Sequence, residues 1–280
     1  MSIAIVTDSA AALPPELAAR HGIDVVPMWL TVNGGSEPEG LRSLEDLVSQ
    51  PAVSTSAPTP RDFEAAIKDA SRVHDGVVVL TIASTMSATY GAAGVAAHAV
   101  GGSVRVVDTA TAGGAEALVV LAAASAAASG LALDEVEARA RVVIDRVRLI
   151  ATISSLDHLV RSGRVPGIAG WAGRRLGINP LFEFRGGSVR RLRPALSRDA
   201  AMDRIVDRVR RERPNDSARL HVAALHALAV DVAEELLVRV REISAPTTEF
   251  VGEFGPVMVV HTGPGLAGLA WWWEDPGDVP

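Results

Sequence analysis

Three short stretches carry the side chains most able to hold a small ligand: Ser54-Thr55-Ser56-Ala57-Pro58-Thr59-Pro60, Ser84-Thr85-Met86-Ser87-Ala88-Thr89 and His261-Thr262-Gly263-Pro264-Gly265. Hydroxyls and an imidazole suit a carboxylate. A neutral His donates one hydrogen bond and a protonated one adds charge, so either state can hold an acidic group. Taken singly, each hydroxyl cluster is better explained as a turn or helix cap than as a ligand contact. Convergence of Thr55, Ser56, Ser87 and Thr89 with His261 on one anion requires their loops to share a cleft.

The run Val257-Met-Val-Val-His261 reads as an apolar strand entering a glycine-rich turn and then a helix, with His261 arriving from the strand end. Gly263 to Gly268 formally satisfies G-x-G-x-x-G. A dinucleotide fold needs a second strand afterwards and an acid about 20 residues on; Asp275 and Asp278 lie too close, and the sequence ends first. A phosphate loop would need Gly-Lys-Ser/Thr, and Lys68 is the sole lysine. What the motif retains is backbone at Gly263 able to approach an anion, with free N–H groups at a helix start.

Ser87 with His261 also opens a hydrolytic alternative, a serine hydrolase acting on acyl esters. Ser87 lacks the Gly-x-Ser-x-Gly elbow, its neighbours two away being Thr85 and Thr89. Cysteine is absent, which removes thiolate chemistry and disulfides. His221 and His226 are five apart, a spacing that suits packing better than metal ligation. No catalytic residue, metal or cofactor is assigned.

The elements that must position these residues alternate. Ile3–Val6, Ile23–Pro27, Gly76–Ile82 and Val104–Val107 read as strands, with helices from Leu13, over Arg61–Arg72 and over Ala88–Val100. Such alternation points to βαβ units and a parallel sheet whose ligand groups gather at the strand ends, Thr7-Asp8-Ser9 among them. An Ala-rich helix and one from Asp134 to about Arg148 follow, then a strand over Ile150–Ile153. Beyond these come a hairpin around Gly186-Gly187, a helix over Arg198–Arg211, a strand over Leu220–Ala224, a helix over Val230–Val240 and paired strands around Phe250 and Val257–Val260. The expected organisation is a parallel-sheet α/β domain over residues 1–150 and an α/β domain with a mixed sheet over 151–280.

With 280 residues, 48% hydrophobic and 4% aromatic, the core must be built chiefly from Ala, Val, Leu and Ile. The net charge of −6 argues against general nucleic-acid binding, although 14 Arg face five acids between Arg161 and Arg213. Arg204, Arg208 and Arg211 recur there at helical spacing, as on a solvated face. The opening residues lack a basic leader, and Ala117–Leu133 is too rich in Ala and Ser for a membrane span, so a cytoplasmic protein is expected.

Read in order, Ile5-Val-Thr-Asp8-Ser9, Thr55-Ser-Ala-Pro58, Ser84-Thr-Met-Ser87-Ala-Thr89-Tyr90, Val106-Val-Asp108-Thr109, Leu159-Val-Arg-Ser-Gly163-Arg164-Val165 and His261-Thr-Gly-Pro-Gly265 resemble the DegV family. The resemblance implies a two-domain α/β fatty-acid-binding protein with the ligand cleft between the domains. The carboxylate of a palmitate, stearate or oleate would lie between the domains, and the tail would be buried in the C-terminal one. In bacteria that have one, a fatty-acid kinase would receive the presented acyl group. Carried over, the head-group contacts are Thr55, Ser56, Ser87 and His261; Arg164 would face a phosphate or the kinase, and Asp8 and Ser9 would order the cleft floor. Ala57, Ala88, Ser162 and the Gly35–Glu45 region depart from the family pattern. So does Leu196-Ser197-Arg198, which leaves no interface arginine to transfer there.

Overall fold

The structure is a computed structural model that describes residues 1–48, 50, 53–153, 155–165 and 179–278. β1 (Ile3–Asp8) leads through a 3-10 turn at Ser9–Ala11 into α1 (Pro15–His21) and β2 (Ile23–Val26). A small antiparallel sheet follows: β3 (Trp29–Val32), β4 (Gly35–Pro38) and, beyond α2 (Leu44–Val48), β5 (Val53–Ser56), in the order β4-β3-β5. Then α3 (Pro60–Ala70), β6 (Gly76–Thr81), α4 (Thr89–Val100) and β7 (Val104–Asp108) complete a parallel sheet of order β2-β1-β6-β7.

α5 (Gly114–Ala128) and α6 (Leu133–Arg146) connect to β8 (Arg148–Thr152), α7 (Asp157–Ser162), β9 (Asn179–Arg185), β10 (Ser188–Ala195) and α8 (Arg198–Arg211). β11 (Arg219–His226), α9 (Val230–Arg241), β12 (Thr248–Glu253), α10 (Pro256–Thr262) and β13 (Ala267–Glu274) finish the described chain. These strands form a mixed sheet of order β10-β9-β8-β13-β11-β12, in which β11 and β12 pair in parallel and the other neighbours are antiparallel.

Why the layers stack this way is visible in the side chains. β1 and β6 are buried on both faces, as expected of parallel strands covered by helices on either side. α5 is apolar nearly all round because it packs against β1 and β6 of the parallel sheet and against β11, β13 and β8 of the mixed one. Its small residues permit that double contact. Gly114 is required at its start, since a Cβ there would stand 2.7 Å from the Cβ of Ala223 on β11. The same helix was the stretch least unlike a membrane span, and among the described residues no helix is long and apolar enough to cross a bilayer.

The parallel sheet, the hairpin around Gly186-Gly187 and the Arg198–Arg211 helix agree with the sequence reading. The C-terminal reading needs correction. Val257–Val260 is helical, lying within α10, and the glycine turn is followed by a strand, β13. Pro256 sits at the first helical positions, where its fixed φ costs nothing, and this outweighs the β-branched run behind it. β13 lies between β8 and β11, buried throughout, and Gly268 lets it fit: a Cβ there would meet the Ile150 carbonyl oxygen at 2.4 Å. Of the basic island, Arg174 and Arg175 lie outside the described residues.

Candidate ligand-binding site

Strand pairing fixes the first hydroxyls. β5 lies antiparallel to β3, with Thr55 opposite Leu30 and Ser56 opposite Trp29. Alternation along the strand turns Thr55 inward and leaves Ser56 exposed at the rim. The segment is tethered downstream. Thr59 caps α3 in a reciprocal box with Asp62, and Asp62 also accepts a 3.0 Å bond from the Trp29 indole.

His261 stands in the last turn of α10, and its Nε2 shares a 2.7 Å hydrogen bond with Thr55 Oγ1. Glu39 brings the two segments together. Its carboxylate accepts the Val257 N–H at 2.8 Å, capping the start of α10, and also accepts the Ser9 hydroxyl. The Glu39 N–H donates to the Met28 carbonyl at 2.7 Å, and Ser9 Oγ accepts the Met28 N–H at 3.0 Å. One acid therefore ties the β1 end, the small sheet and the His261 helix together.

The third segment is pinned by acids at the strand ends. Asp8 accepts the N–H groups of Ala10 at 3.0 Å and Ile82 at 2.9 Å, and Asp108 accepts that of Ser84 at 3.2 Å. Ser87 emerges from this loop half-buried, sharing a 2.7 Å bond with Thr89 Oγ1. Thr89 is wholly buried at the start of α4 and orients Ser87.

Two cavities meet at this place. The inner one, about 270 Å³, is bordered by Thr55, Ser56, Ser87 and His261 at its polar side and by aliphatic and phenyl groups such as Leu149, Phe182, Phe184 and Leu266 behind. The outer one, about 340 Å³, is bordered by Gln50, Ser54, His158, Arg161 and Ser162. Thr55, Arg164 and His261 border both. Thr55, Ser56, Ser87 and His261 thus share one cavity wall.

Gly263 and Thr89 border neither cavity. The Gly263 N–H is spent on the Val259 carbonyl at 2.7 Å and the Gly265 N–H on that of Ala227 at 2.7 Å, so the expected anion cradle is not formed. Gly263 instead has a packing duty: it takes φ 77°, and a Cβ would lie 2.7 Å from the His158 ring. The nucleophile–base bond that a serine hydrolase requires is also unmade, because His261 Nε2 is bonded to Thr55 and Ser87 to Thr89. Among the described residues no three His, Asp or Glu side chains gather as metal ligands.

Electrostatics set the protonation states. Burial, aided by the nearby positive charge of Arg164, lowers the His261 pKa to about 4, so near neutrality the ring is an uncharged hydrogen-bonding group. Behind the site, burial raises Asp8 to about 7 against the pull of its two backbone donors. Burial likewise raises Glu39, and it raises buried Glu116 well above the ordinary carboxylate range, with the Asp8 charge adding to the effect.

Comparison with known proteins settles the ancestry. The DegV family model matches residues 2–274. The chain belongs to the DegV family. A DegV domain-containing protein of Mycobacterium tuberculosis is 34% identical over 275 residues, 96% of each chain. A protein of Thermotoga maritima named fatty acid-binding protein is 28% identical over 280 residues, 96% of this chain and 97% of that one. A DegV family structure from Thermus thermophilus, described by its fatty acid binding, superposes with a TM-score of 0.91 at 27% identity, covering 97% of this chain and 99% of that one.

In this DegV chain the residue that sequence reasoning missed is Glu39. It lies in the Gly35–Glu45 region where the family pattern was not recognised, and an acid in Glu37-Pro38-Glu39 carries no local signal of the distant helix it caps.

Proposed function

We propose that the protein binds a long-chain fatty acid, the carboxylate held by Thr55, Ser87 and His261 with Ser56 at the rim, and the tail in the inner cavity. The observation that carries this reading is the Thr55–His261 hydrogen bond at the edge of an apolar cavity that Ser87 also borders. An uncharged imidazole and two hydroxyls satisfy a carboxylate with few donors, while burial of each methylene contributes about 0.8 kcal/mol. Affinity follows the tail, and orientation follows the polar wall. The related proteins described by fatty-acid binding support the same ligand class.

On this reading the chain is a carrier without chemistry of its own. Residues 1–150 and 151–280 act as two domains around the ligand, and Arg164, exposed beside both cavities, faces the partner, a fatty-acid kinase. Native mass spectrometry of gently purified protein is expected to find one fatty acid per chain, with Ser87→Ala and His261→Ala retaining less of it. Protein that is free of lipid in repeated preparations and takes none up from solution would overturn the reading.

A further inference from the structure

The other end of β13 holds a second polar cluster. Leu266, just before the strand, borders the inner cavity, whereas Glu274 ends the strand about 25 Å away at roughly 3.3 Å per residue. Arg219, His221, Trp272 and Glu274 lie on the α5 side of β11 and β13, in register as Arg219 opposite Glu274 and His221 opposite Trp272. With Arg139 of α6 they border a cavity of about 290 Å³, whose far wall is Leu118, Leu121 and Ala122 of α5.

The charges in this cluster do not cancel. Buried Glu274 receives Arg139 on one oxygen and, on the other, Arg219 at 2.8 Å and His221 Nε2 at 3.2 Å. His221 Nδ1 is bonded to Thr248 Oγ1 at 3.0 Å, and its ring stacks on Trp272 with centroids 4.5 Å apart, while the Arg139 guanidinium lies 5.1 Å from the centre of the Trp272 ring. Of the groups that border the cavity, two guanidiniums share one carboxylate, a net positive charge at its wall; behind them Arg146 is paired with Asp278 and Asp275.

Arg139 is the informative member. Its exposure is only 9%, yet Glu274 is the one protein group its guanidinium bonds among the described residues. Five N–H donors sit on a guanidinium; Arg139 directs one nitrogen at Glu274, and its side chain borders the cavity. A buried cation with unspent donors is costly unless acceptors meet them, and oxyanions meet guanidinium geometry best.

We propose that this cavity is a second ligand site, taking a small organic oxyanion: a carboxylate or phosphate on a short apolar group. Arg139 and Arg219 hold the oxyanion, and the apolar part rests on Leu118 and Leu121. The site shares no residue with the lipid cavity and does not depend on that reading.

The test is calorimetric titration of the full chain with butyrate and, separately, with inorganic phosphate. Saturable binding of butyrate is expected, and binding of phosphate as well would show that the oxyanion alone suffices. Arg219→Gln, at a side chain more than half exposed and therefore compatible with folding, should weaken binding about fivefold or more. Arg139→Gln should weaken it roughly tenfold to a hundredfold, the range of a lost charge-assisted hydrogen bond. His261→Ala should leave it unchanged. The proposal is overturned if neither probe saturates at tens of millimolar, if Arg219→Gln binds as the parent does, or if His261→Ala abolishes binding and so places the probe in the first cavity.

Discussion

The inner and outer cavities share Thr55, Arg164 and His261, and otherwise differ: the inner lining is largely apolar, whereas the outer one mixes aliphatic groups such as Leu44, Leu47 and Val259 with polar ones. Apart from that shared trio, the described inner wall carries no charged side chain and is largely aliphatic and phenyl. The outer wall adds Arg161, His158, Gln50 and two serines, with no acid among its described residues. The hydrogen-bonded pair Thr55 and His261, with Arg164 beside it, thus stands where a largely apolar space meets a more polar and more basic one. A helix end and a strand edge can make so thin a partition because each contributes one inward side chain from a rigid element. On the proposed reading, the wall between the cavities sorts the head of the fatty acid from its tail.

The largest expected effect comes from filling the apolar side. Val189 on β10 is half-buried and borders the inner cavity, so Val189→Trp adds bulk there without opening the main core. Excluding about four methylenes at ~0.8 kcal/mol each weakens fatty-acid binding by about 3 kcal/mol, or more than a hundredfold. Displacement of a fluorescent fatty acid measures this, with circular dichroism reporting the fold. Unchanged affinity in a folded variant would remove the inner cavity as the tail site.

A smaller effect falls on what holds the partition. Glu39→Ala deletes the acceptor for the Val257 N–H and for Ser9, leaving the start of α10 uncapped. The cost is about 2 kcal/mol of stability, read as a lower urea midpoint at unchanged slope. Fatty-acid affinity should fall with it, because His261 rides on that helix; equal affinity in the folded variant would show that Glu39 serves stability alone.

How far the sequence revealed this arrangement depends on how local each cause was. The parallel sheet was legible because β1 and β6 are apolar runs each followed by a helix, and α8 was legible because Arg204, Arg208 and Arg211 recur along it at helical spacing. Thr55, Ser87 and His261 were legible as residue types, but only the ordered family motifs pointed to a shared cavity. What stayed hidden was long-range. α10 and β13 were assigned each other's structures, since an apolar run of four and a glycine-spaced Leu-Ala-Trp segment favour neither periodicity. The small sheet was missed because β5 reads as a hydroxyl-rich turn until β3 lies beside it.

The finest test uses two titrating groups that oppose each other, His261 in the partition and Asp8 behind the site. His261 falls from an ordinary 6.5 to about 4 on folding, so between those values the unfolded chain binds more protons. Its contribution to stability is present above about 6.5 and is lost as pH falls through about 4; being partly exposed, the group accounts for an amount on the order of 1–3 kcal/mol. Asp8 rises from 3.8 to about 7, so the folded protein binds more protons in that window. Its contribution is full below about 4 and is lost as pH rises through about 7. Relative to the parent, His261→Gln should therefore gain stability as pH falls from 6.5 to 4, and Asp8→Asn should gain as pH rises from 4 to 7. Urea midpoints across that range read the two slopes. Parallel profiles for parent and His261→Gln would mean that the imidazole is not desolvated in the wall, and the partition would then be wetter than its neighbours imply.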